Sequence, residues 1–249
     1  MSFSVRKKNI FDPKSEEPFR LSRAKLELFI ECPRCFYLDR RLGIGRPEGP
    51  PFVLNKTVDT LLKKEFDIHR ANGEPHPLMK KYKVDAIPFA HEDMDKWRET
   101  FGGIEYLHKP TNFLIFGAVD DIWIDHRGKL IVVDYKATST SEEINMETGK
   151  SHHQAFKREV EIYQWLFRQN NFKVSDNAYF VYVNALKDRE AFDGKLEFDV
   201  KIIPHKGDCS WVEKKIIEAR KCLDSEKIPK ASPNCEYCAY RERAGEVGA

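Results

Sequence analysis

Leu130-Ile131-Val132-Val133-Asp134-Tyr135-Lys136 runs four apolar residues into an acid, a tyrosine and a lysine. Strand side chains alternate, so Leu130, Val132, Asp134 and Lys136 share one face, and Ile131, Val133 and Tyr135 share the other. Both faces are apolar before Asp134, which marks a strand covered on both sides. An acid and a lysine at the end of such a strand cost desolvation energy unless something compensates them. The segment before it has the same feature: Phe113 to Val119 is apolar, then Asp120 and Asp121 precede Ile122-Trp123-Ile124.

Residues 112–136 therefore read as a β-hairpin around His126-Arg127-Gly128, with Gly128 supplying the left-handed position of a three-residue loop. In that register Asp125 faces Lys129 and Asp120 faces Asp134. Directly opposed residues have Cβ atoms about 4.5–5.5 Å apart, where two carboxylates repel unless a proton or cation lies between them. Oxygen-only ligation of that kind suits Mg²⁺ or Mn²⁺. Lys136, further along the same face, points at whatever the metal holds and can steady charge on a phosphate.

Outward from the hairpin, Ser22 is placed to cap a helix from Arg23 to Cys32. A longer helix spans Val53 to Ala71, where Leu54, Val58, Leu61, Leu62, Phe66 and Ile68 give helical spacing. Asn72-Gly73 ends it. A short helix is expected near 93–101, a helix over Phe156–Asn170, strands over Ala178–Ala185 and Leu196–Pro204, and a helix over Trp211–Leu223. Residues 1–20 read as an arm, 43–51 as a loop and 138–154 as a polar, mobile stretch. With no repeat or Gly/Ser linker, residues 21–249 are expected to form one domain, a mixed sheet flanked by helices of the α/β class.

The chain has 249 residues, and 42 Lys+Arg against 40 Asp+Glu leave a net charge of +2. That balance argues against a binder held to nucleic acid by bulk charge. Aromatic residues at 12% supply a core and argue against disorder. The longest apolar run, Phe113–Val119, falls far short of the roughly 20 residues needed to span a bilayer. The basic start MSFSVRKKNI lacks a following hydrophobic stretch, so no signal peptide and a cytoplasmic location are expected.

Cys32-Pro33-Arg34-Cys35 and Cys235-Glu236-Tyr237-Cys238 are two CxxC pairs near opposite ends of the chain. Four thiolates brought together suit tetrahedral Zn²⁺ or a 4Fe–4S cluster, and either would clasp the first helix to the tail. Cys209 and Cys222 have no partner pattern and read as small buried residues. His152-His153 reads as a solvent-facing pair in the loop before the Phe156 helix, a loop placed to gate a nucleic-acid channel. Arg40, Arg41, Arg46, Lys63 and Lys64 are scattered candidates for contact with a nucleic-acid backbone.

Gly117-Ala118-Val119-Asp120, fourteen positions before Asp134-Tyr135-Lys136, resembles the PD-(D/E)XK nuclease superfamily, and within it the RecB-type branch that includes the CRISPR-associated exonucleases. Leu21-Ser22-Arg23-Ala24-Lys25-Leu26 leading to Glu31-Cys32-Pro33 is similar to that branch's opening helix. Glu159-Val160-Glu161-Ile162-Tyr163 stands where the branch carries Gln-x-x-x-Tyr, and Cys235-x-x-Cys238-x-Tyr240 resembles its terminal cysteine element. The resemblance implies a restriction-endonuclease-like fold and Mg²⁺- or Mn²⁺-dependent hydrolysis of DNA, at single strands or duplex ends. It implies Asp120 and Asp134 as metal ligands, the Tyr135 carbonyl as a further ligand, Lys136 as catalytic, and Glu159 and Tyr163 as residues that position a nucleotide or water. It also implies the 4Fe–4S cluster at Cys32, Cys35, Cys235 and Cys238, although the branch splits its cysteines one and three and this chain splits them two and two.

Two other departures stand out. The branch's metal-binding His is replaced at Asp59, in Leu54-Asn55-Lys56-Thr57-Val58-Asp59, and its Gln is Glu159. Those departures keep open a second reading, a catalytically degenerate nucleic-acid-binding or scaffold protein on the same fold.

Overall fold

The computed structural model describes residues 7–47, 49–50 and 52–248. The first six residues of the expected arm, and Glu48 and Pro51 of the expected 43–51 loop, lie outside them. In chain order the elements are β1 (Phe19–Ser22), α1 (Arg23–Glu31), α2 (Pro33–Arg41), α3 (Val53–Asn72), α4 (Pro77–Lys81), β2 (Ala86–Pro88), α5 (Met94–Trp97), β3 (Ile104–His108), β4 (Phe113–Gly117), β5 (Asp121–Asp125), β6 (Leu130–Thr138), α6 (Ser151–Gln169), β7 (Asn177–Ala185), β8 (Phe198–Lys206), α7 (Val212–Asp224) and α8 (Glu236–Glu246). They form a mixed α/β fold with two sheets and two compact units.

The first unit draws its described residues from 1–50, 105–116 and 210–249. Its sheet has the order β1-β4-β3, with β1 parallel to β4. Ser22 stands at the N-cap of α1 as expected but makes no side-chain cap bond, because it is also the last residue of β1 and pairs with Phe116. In the segment expected as an arm, Phe11 is buried, its N–H donates to the Arg40 carbonyl at 2.7 Å, and its ring packs edge-on against Phe19 and Phe113.

The second unit spans the described residues of 51–104 and 117–209 and holds the sheet β2-β5-β6-β7-β8. Strands β5 and β6 are antiparallel, with pairs from Asp121↔Val133 to Ile124↔Leu130. That is the register read from the sequence: Asp125 N–H donates to the Lys129 carbonyl at 3.0 Å, and Gly128 has φ +73°. Strand β6 is buried from Leu130 to Tyr135, so both its faces are covered. On one face Ile131, Val133 and Tyr135 pack with Leu62, Phe66, Met79, Trp123 and Val181.

Several expectations are corrected. The first hairpin strand does not run unbroken from residue 112 to 125: it breaks after Gly117, and Phe113–Gly117 pairs with β1 in the other sheet. The break is fixed by Gly103 (φ +73°), where a Cβ would come within 2.2 Å of the Gly117 carbonyl oxygen. Helix α6 begins at Ser151, so His152 and His153 are helical and do not lie in a loop. His153 is buried, with Nδ1 2.9 Å from Thr148 Oγ1. Arg40 is buried against Asp39, which it bonds through two nitrogens at 3.0 and 3.1 Å, so it offers nothing to a nucleic-acid backbone. Among the described residues, no helix is long and apolar enough to cross a membrane.

Candidate active site

Strand β5 begins only at Asp121, so beyond Val133 the edge of β6 that faces it has no ladder partner from β5. There the Tyr135 N–H donates to Asp120 Oδ2 at 2.9 Å. A carboxylate thus takes the place of a strand carbonyl, which meets the need of a backbone donor for a partner and fixes where Asp120 points. The rest of the turn carrying Asp120 is held residue by residue. Val119 N–H donates to the Trp97 carbonyl at 3.0 Å, Tyr163 Oη donates to the Ala118 carbonyl at 2.6 Å, and Arg98 Nε donates to the Asp120 carbonyl at 3.0 Å.

The side chains converge on a cleft of about 500 Å³ lined by, among others, Asp59, Asp120, Asp134, Lys136 and Glu159. Lys136 Nζ donates to Asp134 Oδ1 at 2.9 Å and to Glu159 Oε2 at 3.2 Å, and lies 4.4 Å from the centre of the Phe156 ring. It also lies 2.7 Å from Asp134 Oδ2, but that buried oxygen receives no directed hydrogen bond. On the α3 side, Lys63 Nζ donates to Asp59 Oδ2 at 2.9 Å and to Asp120 Oδ1 at 3.2 Å.

The cleft thus gathers four carboxyl groups, those of Asp59, Asp120, Asp134 and Glu159, against the ammonium groups of Lys136, Lys63 and the exposed Lys56. Burial, opposed in part by Lys136 and reinforced by Glu159 and Asp120, holds the Asp134 carboxyl well above the usual carboxylate range. Burial and the neighbouring Asp120 push Asp59 up as well. The partners of Lys136 raise its pKa against the effect of burial, so it stays charged. A divalent cation fits this donor set: the ligands are all oxygen, the acids outnumber the lysines, and the buried Asp134 Oδ2 receives no directed hydrogen bond. Another cleft, of about 550 Å³, lies at the hairpin turn, but Lys83, Asp85, Arg127, Lys129 and Lys206 there are exposed and form ordinary solvated surface.

Residues 53–243 match the family model of the PD-(D/E)XK nuclease superfamily. The chain belongs to that superfamily. Its members are usually phosphodiesterase nucleases, so the substrate class is nucleic acid. A solved structure described as "Crystal structure of SSO0001" is similar over 93% of this chain and 87% of its own, at 17% identity and a TM-score of 0.44. No curated protein matches.

In this PD-(D/E)XK chain, six of the site residues singled out from sequence (Asp59, Asp120, Asp134, Tyr135, Lys136 and Glu159) line one cleft. Tyr163 does not open on it: the residue is buried and its hydroxyl is committed to Ala118. Sequence reasoning missed the residues behind the site. Asp121 is fully buried and accepts from Arg70, from Arg98 Nη2 at 3.0 Å, from Trp123 Nε1 at 3.2 Å and from Tyr135 Oη at 2.9 Å. Arg98 bridges Asp121, Asp67 and the Asp120 carbonyl, so one guanidinium fixes both members of the acid pair. The Asp120-Asp121 doublet was the available signal, since adjacent strand acids must find compensation on opposite faces.

The four cysteines also meet. Among the described residues, Cys32, Cys35, Cys235 and Cys238 are the one group of three or more potential ligands whose donor atoms all lie within 4.8 Å of one another. The sulfurs of Cys32 and Cys238 are 3.8 Å apart, those of Cys35 and Cys235 3.5 Å, and those of Cys35 and Cys238 3.6 Å. Arg46 donates to Cys235 Sγ at 3.8 Å and stacks on Tyr237, and the Ser232 N–H donates to Cys32 Sγ at 3.5 Å. Cys209 and Cys222 stand apart, half-buried, and burial pushes both thiols up to about 11.

Proposed function

We propose that this chain is a Mg²⁺- or Mn²⁺-dependent DNA nuclease of RecB type, acting at single strands or duplex ends in the cytoplasm. The observation that carries the reading is the convergence of four carboxyl groups on one cleft around the buried Asp134, in a superfamily of nucleases. Asp120 and Asp134, with Asp59 in place of the branch's histidine and the Tyr135 carbonyl, would hold the cation. The bound ion would supply an activated water and neutralise charge on the phosphate.

The chain's own groups do the rest. Lys136, kept charged by Asp134 and Glu159, presents an ammonium to the non-bridging oxygens of the phosphodiester. Glu159 holds that ammonium from the opposite side to Asp134 and limits its swing. Phe156 covers it with a ring face, which favours the cation and excludes water. Tyr163 acts at one remove, by tying α6 to the turn that carries Asp120.

For the cysteine clasp, the spacing of the sulfurs favours a single zinc ion. Four thiolates around one tetrahedral ion with Zn–S bonds of about 2.3 Å have sulfurs about 3.8 Å apart. A 4Fe–4S cluster puts each thiolate on a different iron and spreads the sulfurs to about 6 Å. Three of the six sulfur pairs lie at 3.5–3.8 Å and all four sulfurs within 4.8 Å of one another, nearer the first spacing than the second.

The nuclease reading is tested with labelled single- and double-stranded DNA and Mn²⁺, comparing wild type with Asp134→Ala and Lys136→Ala. Cleavage by wild type that falls at least about 10²-fold in both variants supports it. Equal behaviour of all three proteins would leave a nucleic-acid-binding protein with a degenerate site.

A further inference from the structure

Lys63 is one of the scattered basic residues that the sequence offers for backbone contact, yet its ammonium is bonded to two acids of the cleft. Its place follows from helix geometry. Asp59 and Lys63 are four residues apart on α3, so their side chains lie one above the other, with the acid on the N-terminal side as such pairs prefer. An ordinary pair of this kind would face solvent. Here the side chains of Lys63, Asp59 and Asp120 are only 22, 31 and 24% exposed, and the ammonium bridges an acid of α3 to the acid of the turn before β5.

From this arrangement we infer that Lys63 is an internal counter-cation that competes with the divalent metal for Asp59 and Asp120, and so sets the metal concentration the site requires. The two acids share one ammonium, and facing carboxylates repel unless a cation lies between them. Lys63 supplies that charge when no metal is held. The ligand atoms themselves are occupied: Asp120 has Oδ2 bonded to the Tyr135 N–H and Oδ1 to Lys63, and Asp59 Oδ2 is bonded to the same ammonium. A metal ion taking Asp120 Oδ1 or Asp59 Oδ2 must therefore displace Lys63. Asp134 differs in its partner, since its two oxygens lie 2.9 and 2.7 Å from the Lys136 ammonium. The acids are thus divided between two lysines, Lys136 on Asp134 and Glu159 and Lys63 on Asp59 and Asp120. The inference rests on the nuclease reading, which places the metal among these acids.

Mn²⁺ binding to the full chain, measured by electron paramagnetic resonance of the free ion, separates the two. Lys63→Met and Lys63→Gln, two neutral replacements of different polarity, are expected to bind Mn²⁺ about tenfold more tightly than wild type. Lys63→Arg keeps the charge and is expected to stay within about threefold of wild type. Unchanged or weaker Mn²⁺ binding in the neutral variants, with wild type binding normally, overturns the role of Lys63 and leaves the nuclease reading standing. Absence of Mn²⁺ binding in wild type and variants alike overturns both.

Discussion

At Asp134 stability and chemistry conflict. The residue is 3% exposed, and burial, with Glu159 and Asp120 nearby, raises its carboxyl well above the unfolded value even though Lys136 opposes the shift. A raised folded pKa means that the folded chain binds a proton the unfolded chain has released. Stability in the absence of divalent metal is then greatest below the unfolded value, about 3.9, and falls as pH rises from there through the folded value. Asp134→Asn removes the titration and keeps an acceptor for Lys136, which still has Glu159 as a charged partner. In buffer without Mg²⁺ or Mn²⁺, the variant is expected to be about 1–2 kcal/mol more stable than wild type at pH 7, with the difference vanishing near pH 4. Urea unfolding across that pH range checks it, and a variant less stable than wild type at pH 7 would show that the buried carboxylate is held without strain.

Helix α3 shows, at the scale of one element, what the sequence could and could not reveal. Its span and its stop at Gly73, in the left-handed conformation, were legible because both depend on local spacing and backbone freedom. Its inner face was not. Of the apolar residues at helical spacing, Leu62 and Phe66 are buried, whereas Leu54, Leu61 and Ile68 are 57–67% exposed. The inward stripe also holds Asp59, Lys63 and Arg70, polar residues matched by charges on the β5–β6 hairpin and the turn before it. Hydrophobic periodicity cannot register a buried charge whose partner lies 50 residues away. The β5–β6 hairpin was readable for the opposite reason, since its register follows from one three-residue turn. Phe66 stacks on Trp123 at 5.5 Å and on His76 at 4.4 Å, so Phe66→Ala is expected to cost about 3–5 kcal/mol. Leu61→Ser, also on α3, should change stability by no more than about 0.5 kcal/mol. Denaturant midpoints for the two variants decide whether the observed face or the hydropathy pattern describes the helix.

At the scale of the whole molecule, the unit containing the cysteines is assembled from three separate stretches of chain, which is why β1 and α8 left no clear trace in local sequence patterns. Short elements that find partners more than 80 residues away (Phe19 beside Phe113, for example) have neither periodicity nor turn chemistry to announce them. The cysteines were legible as pairs, because CxxC spacing at the start of a helix presents two thiols to one point: Cys32 and Cys35 at the start of α2, Cys235 and Cys238 at the start of α8. A metal held by all four closes a loop of about 200 residues, and by analogy with a disulfide the chain-entropy model puts such a link at about 5 kcal/mol, an upper value. The four-thiolate sphere of one zinc ion would carry two net negative charges, which Arg46 and the Ser232 N–H are placed to offset. The chain purified without added metal is therefore expected to hold one zinc per molecule, no iron, and no absorption band near 400 nm when prepared anaerobically. Cys35→Ser should lose that zinc and several kcal/mol of stability while Mn²⁺ binding at the carboxylate cleft persists. Four irons per chain with the absorption band would instead require the sulfurs to move apart from their 3.5–3.8 Å contacts, and would return the clasp to the iron–sulfur type that the RecB-like resemblance implied.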